Sequence, residues 1–291
     1  MSIQFEYIDG RRYQTSMPYF APVDETEIIR LDLEDTMLRL WWGNSFGSPM
    51  AERLNGEGTK VLDVGCGAGS WMCDLAIRYP RTLFVGLDIA PMFPGENPPN
   101  AAFLECNILE KLPFPDNTFD FVHQRMLSGG ITQKQWENHI IKELVRMTKP
   151  TGYVEFVEAD SAFYSSGKVT RRISNACKYY NSLKRHAESK GQCGFIGTHI
   201  KGILENTQQV TNITHDVKDI VLGNRAGKSG EMALQNILEM LKSLRPALSK
   251  SMEITNNHFD ALVETFMRET SVYETIWRVH RVYACKIDTP V

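Results

Sequence analysis

The chain has 291 residues, 42% of them hydrophobic and 23% charged, with a formal net charge of -3 and a pI near 6.2. This is the composition of a globular protein able to bury a substantial core, and the charge argues against a nucleic-acid partner, which calls for a concentrated basic surface; the Lys168–Arg172 cluster is too short to supply one. The cysteines at 66, 73, 106, 177, 193 and 285 form no C-x-x-C pair, so no zinc site or disulfide scaffold is predicted, and with no leader-like N-terminus and no apolar run near the ~20 residues a bilayer demands, the expectation is a soluble protein of the cytoplasm, or of the nucleus, without a membrane partner.

Residues 1–23 are polar and turn-rich. Asp24 to Gly43 then reads as an amphipathic helix with Ile28, Leu31, Leu38 and Trp42 on one side, Asp24 as N-cap and Glu27 at capping-box spacing. Trp41 and Trp42 read as a plug between this cap and the rest of the fold, and 43–49 as a loop.

From Lys60 the pattern changes. Strands are predicted at 60–64, 82–87, 102–106, 119–123 and 152–158, with helices at 70–79 and 135–148 and a turn at 146–152. Strands joined by helical crossovers imply an α/β, Rossmann-like, doubly wound sheet, mostly parallel and seven-stranded, with an N-terminal helical cap and a helical insertion before the last strands. Residues 168–250 read as mainly helical, interrupted by the β-branched run Val210–Val221; Leu234, Leu238, Leu241 and Leu244 recur at the spacing of a core-facing helix. A helix from 256 to about 270 precedes the alternating run Thr275–Lys286, expected as a strand at the sheet edge. The segments divide as cap 1–50, ligand-binding core 51–160 and substrate-side region 161–291, the last completing the same domain.

The chemistry concentrates in KVLDVGCGAGSW, residues 60–71. Val61, Leu62 and Val64 fill a strand, and Gly65, Gly67 and Gly69 let a ligand lie on bare backbone, with small Cys66 between them. Dinucleotide folds also place glycines here. The spacing, however, is D-x-G-x-G-x-G rather than G-x-G-x-x-G, and a carboxylate at Asp63 suits a ligand with an ammonium group, such as S-adenosylmethionine, better than a pyrophosphate. Asp88, 19 residues past Gly69, ends the next strand with Ile89 behind it, where a carboxylate can accept both ribose hydroxyls. Asn107 and Ile108 end the third, an amide for an adenine edge and an apolar face for its ring, and His123, Gln124 and Arg125 reach the mouth from the fourth. His123 is the candidate general base, with a satisfied structural histidine as the alternative. Arg12 and Tyr13, near Arg11, Tyr19 and Arg30, are read as folding over the ligand so that an arginine meets its carboxylate, against a surface turn with a salt bridge. Glu155 and Glu158 are candidates to orient an acceptor, or acids facing solvent.

This constellation resembles the class I S-adenosylmethionine-dependent methyltransferases over residues 55–160. More narrowly, GRRYQ, PYFAPVDETEIIRLDL, VLDVGCGAGSWMCDLAIRYP, FVGLDIAPMFP, LPFPDNTFDFVHQR and KPTGYVEFVEAD resemble the fungal LaeA-like family of secondary-metabolism regulators. The resemblance implies S-adenosylmethionine as cofactor, places Gln124 beside its methionine moiety, and predicts methyl transfer to a small-molecule acceptor. A regulatory protein acting through protein partners is the alternative; an NAD-dependent oxidoreductase is disfavoured by the glycine spacing. Two positions depart from the family pattern: Asn107 stands where an acid is common, and Glu34 and Asp35 where a glutamine-histidine pair is common.

Overall fold

The computed structural model describes residues 4–14, 21–129, 131–183 and 195–288; Tyr19 and Cys193 lie outside them. The first element was not foreseen: β1 (Phe5–Ile8) and β2 (Arg11–Gln14) form an antiparallel hairpin of their own. The cap helix α1 (Glu25–Trp42) starts and stops as read. The Asp24 side chain accepts from Glu27 N–H and Gly43 closes the helix in the left-handed conformation, but only half of the capping box forms, because the Glu27 carboxylate turns to Arg30 and Ser243.

After the short α2 (Ala51–Leu54) come β3 (Lys60–Val64), α3 (Ser70–Arg78), β4 (Leu83–Asp88), β5 (Ala101–Glu105) and β6 (Phe119–Arg125). A helical segment over 133–147, comprising α4 (Gln133–Gln135), a π turn and α5 (Ile141–Met147), leads to the long β7 (Thr148–Tyr164). Helices α6 (Lys168–Leu183) and α7 (Ile196–Thr207), strand β8 (Val210–Val221), helices α8 (Gly227–Ser251) and α9 (Asn256–Val272), and strand β9 (Ile276–Lys286) complete the order.

The seven strands run in the order β5-β4-β3-β6-β7-β9-β8, parallel from β5 to β7 and antiparallel thereafter. Two expectations change here. The run Thr275–Lys286 is not an edge strand: β9 threads between β7 and β8, and the edge falls to β8, read beforehand only as an interruption among helices. Alternation then sets the layers. Leu62, Val122 and Phe156 pack on α5 and α7, whereas Val61, Phe84 and Phe121 pack on Trp71, Met72 and Leu75 of α3. A third apolar cluster joins α1, α8 and α9 to β8 and β9 through Met37, Leu38, Ile237, Leu241, Phe259, Ile220 and Val279. Trp41 donates to Ser229 O and the Trp42 ring lies under Arg281, so both close the cap against this cluster. The strand order reverses between β3 and β6, which opens a crevice at the carboxyl ends of the strands. Among the described residues no helix is long and apolar enough to cross a membrane.

Candidate active site

The glycine loop is fastened to its neighbours by backbone. Gly65 N–H and Cys66 N–H both donate to Leu87 O, at 2.8 and 2.9 Å, and Gly67 N–H donates to Asp88 Oδ2 at 2.8 Å. Gly65 and Gly67 have φ of +70° and +54°, and a Cβ on them would lie 2.8 Å from Leu127 Cδ1 and 3.1 Å from Leu31 Cδ1. The loop is thus clasped between the segment after β6 and the cap helix, leaving room only for bare backbone. Asp88 Oδ1 accepts from Ala90 N–H at 2.9 Å, and burial raises this carboxyl above its ordinary pKa.

A cavity of about 280 Å³ opens over the loop and continues under the cap. Gly65, Cys66, Gly67, Asp88, Ile89, Asn107 and Ile108 line one end; Met126, Asp160, Phe163, Cys177, Met240, Leu244 and Trp277 line the other. Leu31 and a buried charged row on α1 form the roof. Arg30 bonds Glu27 and Glu34 at 2.8 Å each and Asn236 of α8 at 3.1 Å, while Ser243 donates to Glu27 at 2.9 Å. Burial raises the Glu27 pKa, opposed by the Arg30 charge. At the β6 end Arg125 pairs with Asp35 at 2.8 Å. Beneath it, fully buried Glu158 accepts from Gln124 Nε2 and Leu127 N–H, both at 2.7 Å, and burial pushes its pKa up to about 7.

Residues 61–152 match a family model described as a methyltransferase domain. The core is a class I, S-adenosylmethionine-dependent methyltransferase domain. The N-methyltransferase sirN of Leptosphaeria maculans is 26% identical over 262 residues, covering 89% of this chain and 90% of that protein. The secondary metabolism regulator laeA of Aspergillus fumigatus is 32% identical over 146 residues, covering 49% of this chain but 37% of the regulator. Among solved structures, the phosphoethanolamine N-methyltransferase 2 of Haemonchus contortus, in complex with phosphomonomethylethanolamine and S-adenosylhomocysteine, superposes with a TM-score of 0.50 at 17% identity, covering 95% of this chain and 62% of that one. That likeness is one of fold.

Of the residues chosen from sequence to hold or activate the ligand, the structure gathers Gly65, Cys66, Gly67, Asp88, Ile89, Asn107 and Ile108 at the cavity wall and leaves Asp63, Gly69, His123 and Gln124 of the methyltransferase domain, and Arg12 and Tyr13 of the hairpin, away from it. Asp63 does not face the cavity: 3% exposed, its Oδ1 lies 2.8 Å from His123 Nδ1. His123, 1% exposed, stacks on Trp71 with ring centroids 3.7 Å apart, so the pair is a buried strut beneath the loop, and neither the ammonium partner nor the general base sits there. Gly69 is also off the wall; it turns the chain into α3 in the left-handed conformation, close to Phe103. Gln124 is committed to Glu158. Arg12 donates to Val23 O and Tyr13 to Ser243 O, while Arg11 grips Asp24, so the hairpin braces the cap and its arginines do not reach the cavity; Arg30 and Arg125 do. Glu155 does not orient a ligand either, since it accepts from Gly47 and Ser48 N–H. Sequence reasoning passed over Asp160, Met240, Ser243 and Trp277. Only the helical periodicity of 234–244 hinted that α8 has a face turned inward.

Proposed function

We propose that the protein transfers the methyl group of S-adenosylmethionine to a small, largely apolar molecule of fungal secondary metabolism. The observation that carries this reading is the single cavity running from the glycine loop to a chamber walled by Met126, Phe163, Met240, Leu244 and Trp277. The residues fit the cofactor: two left-handed glycines whose Cβ positions are already taken, and a strand-end acid whose oxygens keep lone pairs for a ribose. Gly65, Gly67, Asp88, Ile89, Asn107 and Ile108 would hold it. When bound, it supplies an electrophilic methyl group on a sulfonium.

The chain's own contribution is orientation and exclusion of water. Leu31 and the Arg30 row cover the loop from above, and holding two reactants in line can contribute roughly 7–11 kcal/mol to a transfer of this kind. The cap 1–50, the core 51–160 and the region 161–291 act together in this reading, because each lends residues to the cavity. The match to the N-methyltransferase sirN runs through nearly the whole chain, whereas the match to the regulator covers about half of it; this supports methyl transfer ahead of regulation through protein partners, and the small-molecule acceptor is argued from the chamber. Calorimetry with S-adenosylhomocysteine and NAD tests the cofactor: micromolar-range binding of the first and none of the second is expected, and tighter NAD binding overturns the reading. A metabolite extract incubated with methyl-labelled donor then identifies the acceptor; label appearing only in protein would favour the regulatory alternative.

A further inference from the structure

Strand β6 ends at Arg125, and the residues that follow it, Met126, Leu127, Ser128 and Gly129, all line the cavity. Met126 has a φ of +54°, a left-handed conformation that strains any residue carrying a side chain. The turn sends consecutive side chains to different layers. Met126 packs on the cluster that joins α1, α8 and α9 to β8 and β9, whereas Leu127 packs with the α5 and α7 layer and its Cδ1 lies 2.8 Å from where a Cβ of Gly65 would fall. One residue thus walls the chamber while its neighbour holds the glycine loop.

The bonds that keep Met126 left-handed come from β7, just before that strand bulges out of register with β9 between Ala159 and Phe163. Met126 N–H donates to Val157 O at 2.9 Å. Glu158 takes the next two N–H groups, that of Leu127 on Oε1 at 2.7 Å and that of Ser128 on Oε2 at 3.3 Å. Gln124 Nε2 donates to the same Oε1 at 2.7 Å, so bonds from both sides of Met126 converge on one carboxylate with no exposed surface. These donors are neutral. Other buried acids of the sheet lie against a basic side chain: Glu155 against Arg281, Asp120 against Arg53 and Lys149, Asp63 against His123. A buried carboxylate is costly to keep, and hydrogen bonds to a charged acceptor are among the stronger ones. At Glu158 those bonds are spent on the shape of a single turn.

We propose that Glu158 is a positioning residue of the methyl transfer: by clamping Gln124, Leu127 and Ser128 it holds Met126 in its strained turn and so sets the glycine-loop end and the chamber in fixed register. The inference rests on the reading of the cavity as a donor–acceptor site. Glu158 touches neither reactant and acts only through the turn it holds.

A clamp on strain is needed less once the strain is gone, and glycine adopts a left-handed φ freely. The test is therefore a double-mutant cycle on S-adenosylhomocysteine affinity at pH 8, above the value of about 7 to which burial raises the Glu158 carboxyl. Glu158→Gln keeps the size but turns an N–H₂ toward a backbone donor; it should weaken binding about tenfold in the wild-type background and less than threefold in the Met126→Gly background. A buried acid that served only the packing of the sheet would cost the same in both. Equal costs, or no cost in the wild-type background, overturn the proposal. Should Glu158→Gln alone not fold, recovery of folded, ligand-binding protein in the variant carrying both changes reports the same rescue, and an unfolded double variant overturns the proposal. Wild-type protein that does not bind S-adenosylhomocysteine sinks the proposed function itself.

Discussion

The two ends of the cavity are built by opposite means. The glycine-loop end is backbone and local: 65–67, 88–89 and 107–108 are strand ends and the turns that follow them, tied by N–H bonds to Leu87 O and Asp88. The chamber end is side chain and remote, with Met126 from the end of β6, Asp160 from a bulge, Met240 from α8 and Trp277 from β9. The first is held by backbone hydrogen bonds that leave its side chains little say in its shape. The second depends on which side chains four distant elements happen to bring, and is where related chains can diverge in acceptor without disturbing the fold.

The contrast is broken most directly at Gly67. Valine there must adopt φ near +54° with its Cβ 3.1 Å from Leu31 Cδ1, and should lower S-adenosylhomocysteine affinity at least ~100-fold while Trp277→Ala leaves it within about threefold. Calorimetry on both variants checks this; equal losses would mean that the ends are one unit. Next in size is Glu158, which holds the segment between them. Burial raises its pKa from 4.5 to about 7, so between those values the native state keeps a proton that the unfolded chain has lost, and stability falls as pH rises through the window. The difference between pH 4.5 and pH 8 should be about 3 kcal/mol from this group, and Glu158→Gln should remove it in urea titrations at the two pH values. A variant with the wild-type pH dependence would place the titration elsewhere. Asp88→Ala should weaken S-adenosylhomocysteine by roughly 1–3 kcal/mol, the range for hydrogen bonds to a charged group. The smallest effect belongs to Asn107→Asp, expected within about threefold in the same assay, because Oδ1 of the present amide already accepts from Leu109 N–H, a bond a carboxylate can keep.

What the sequence disclosed follows the same division. Strand ends and glycines are local signals, so the loop, Asp88 and Asn107 could be found by spacing alone, and the parallel core by alternation. Asp63 was misread because its partner, His123, arrives from a strand 60 residues further on, and the carboxylate looks free until the sheet is assembled. The arginines of the hairpin were misassigned for a like reason: Asp24 and Val23 claim them locally, while Arg30, inside the cap helix, reaches the cavity. Asp160 was invisible, since the bulge that turns it depends on register with a strand more than a hundred residues later. The run 210–221 resembled an interruption because an edge strand exposed on one face lacks the apolar density of the central ones.

Threading β9 between β7 and β8 has a consequence for how the protein comes into being. The strand supplies Trp277, and it separates two others made well before it, so a chain emerging from the ribosome carries the complete glycine loop long before it has a chamber. Until synthesis passes residue 286, the antiparallel flank of β7 is an open edge, liable to pair with β8 directly or with another chain. The glycine-loop half therefore matures first, and a cofactor held there as proposed would steady the nascent sheet while the slot for β9 stays free.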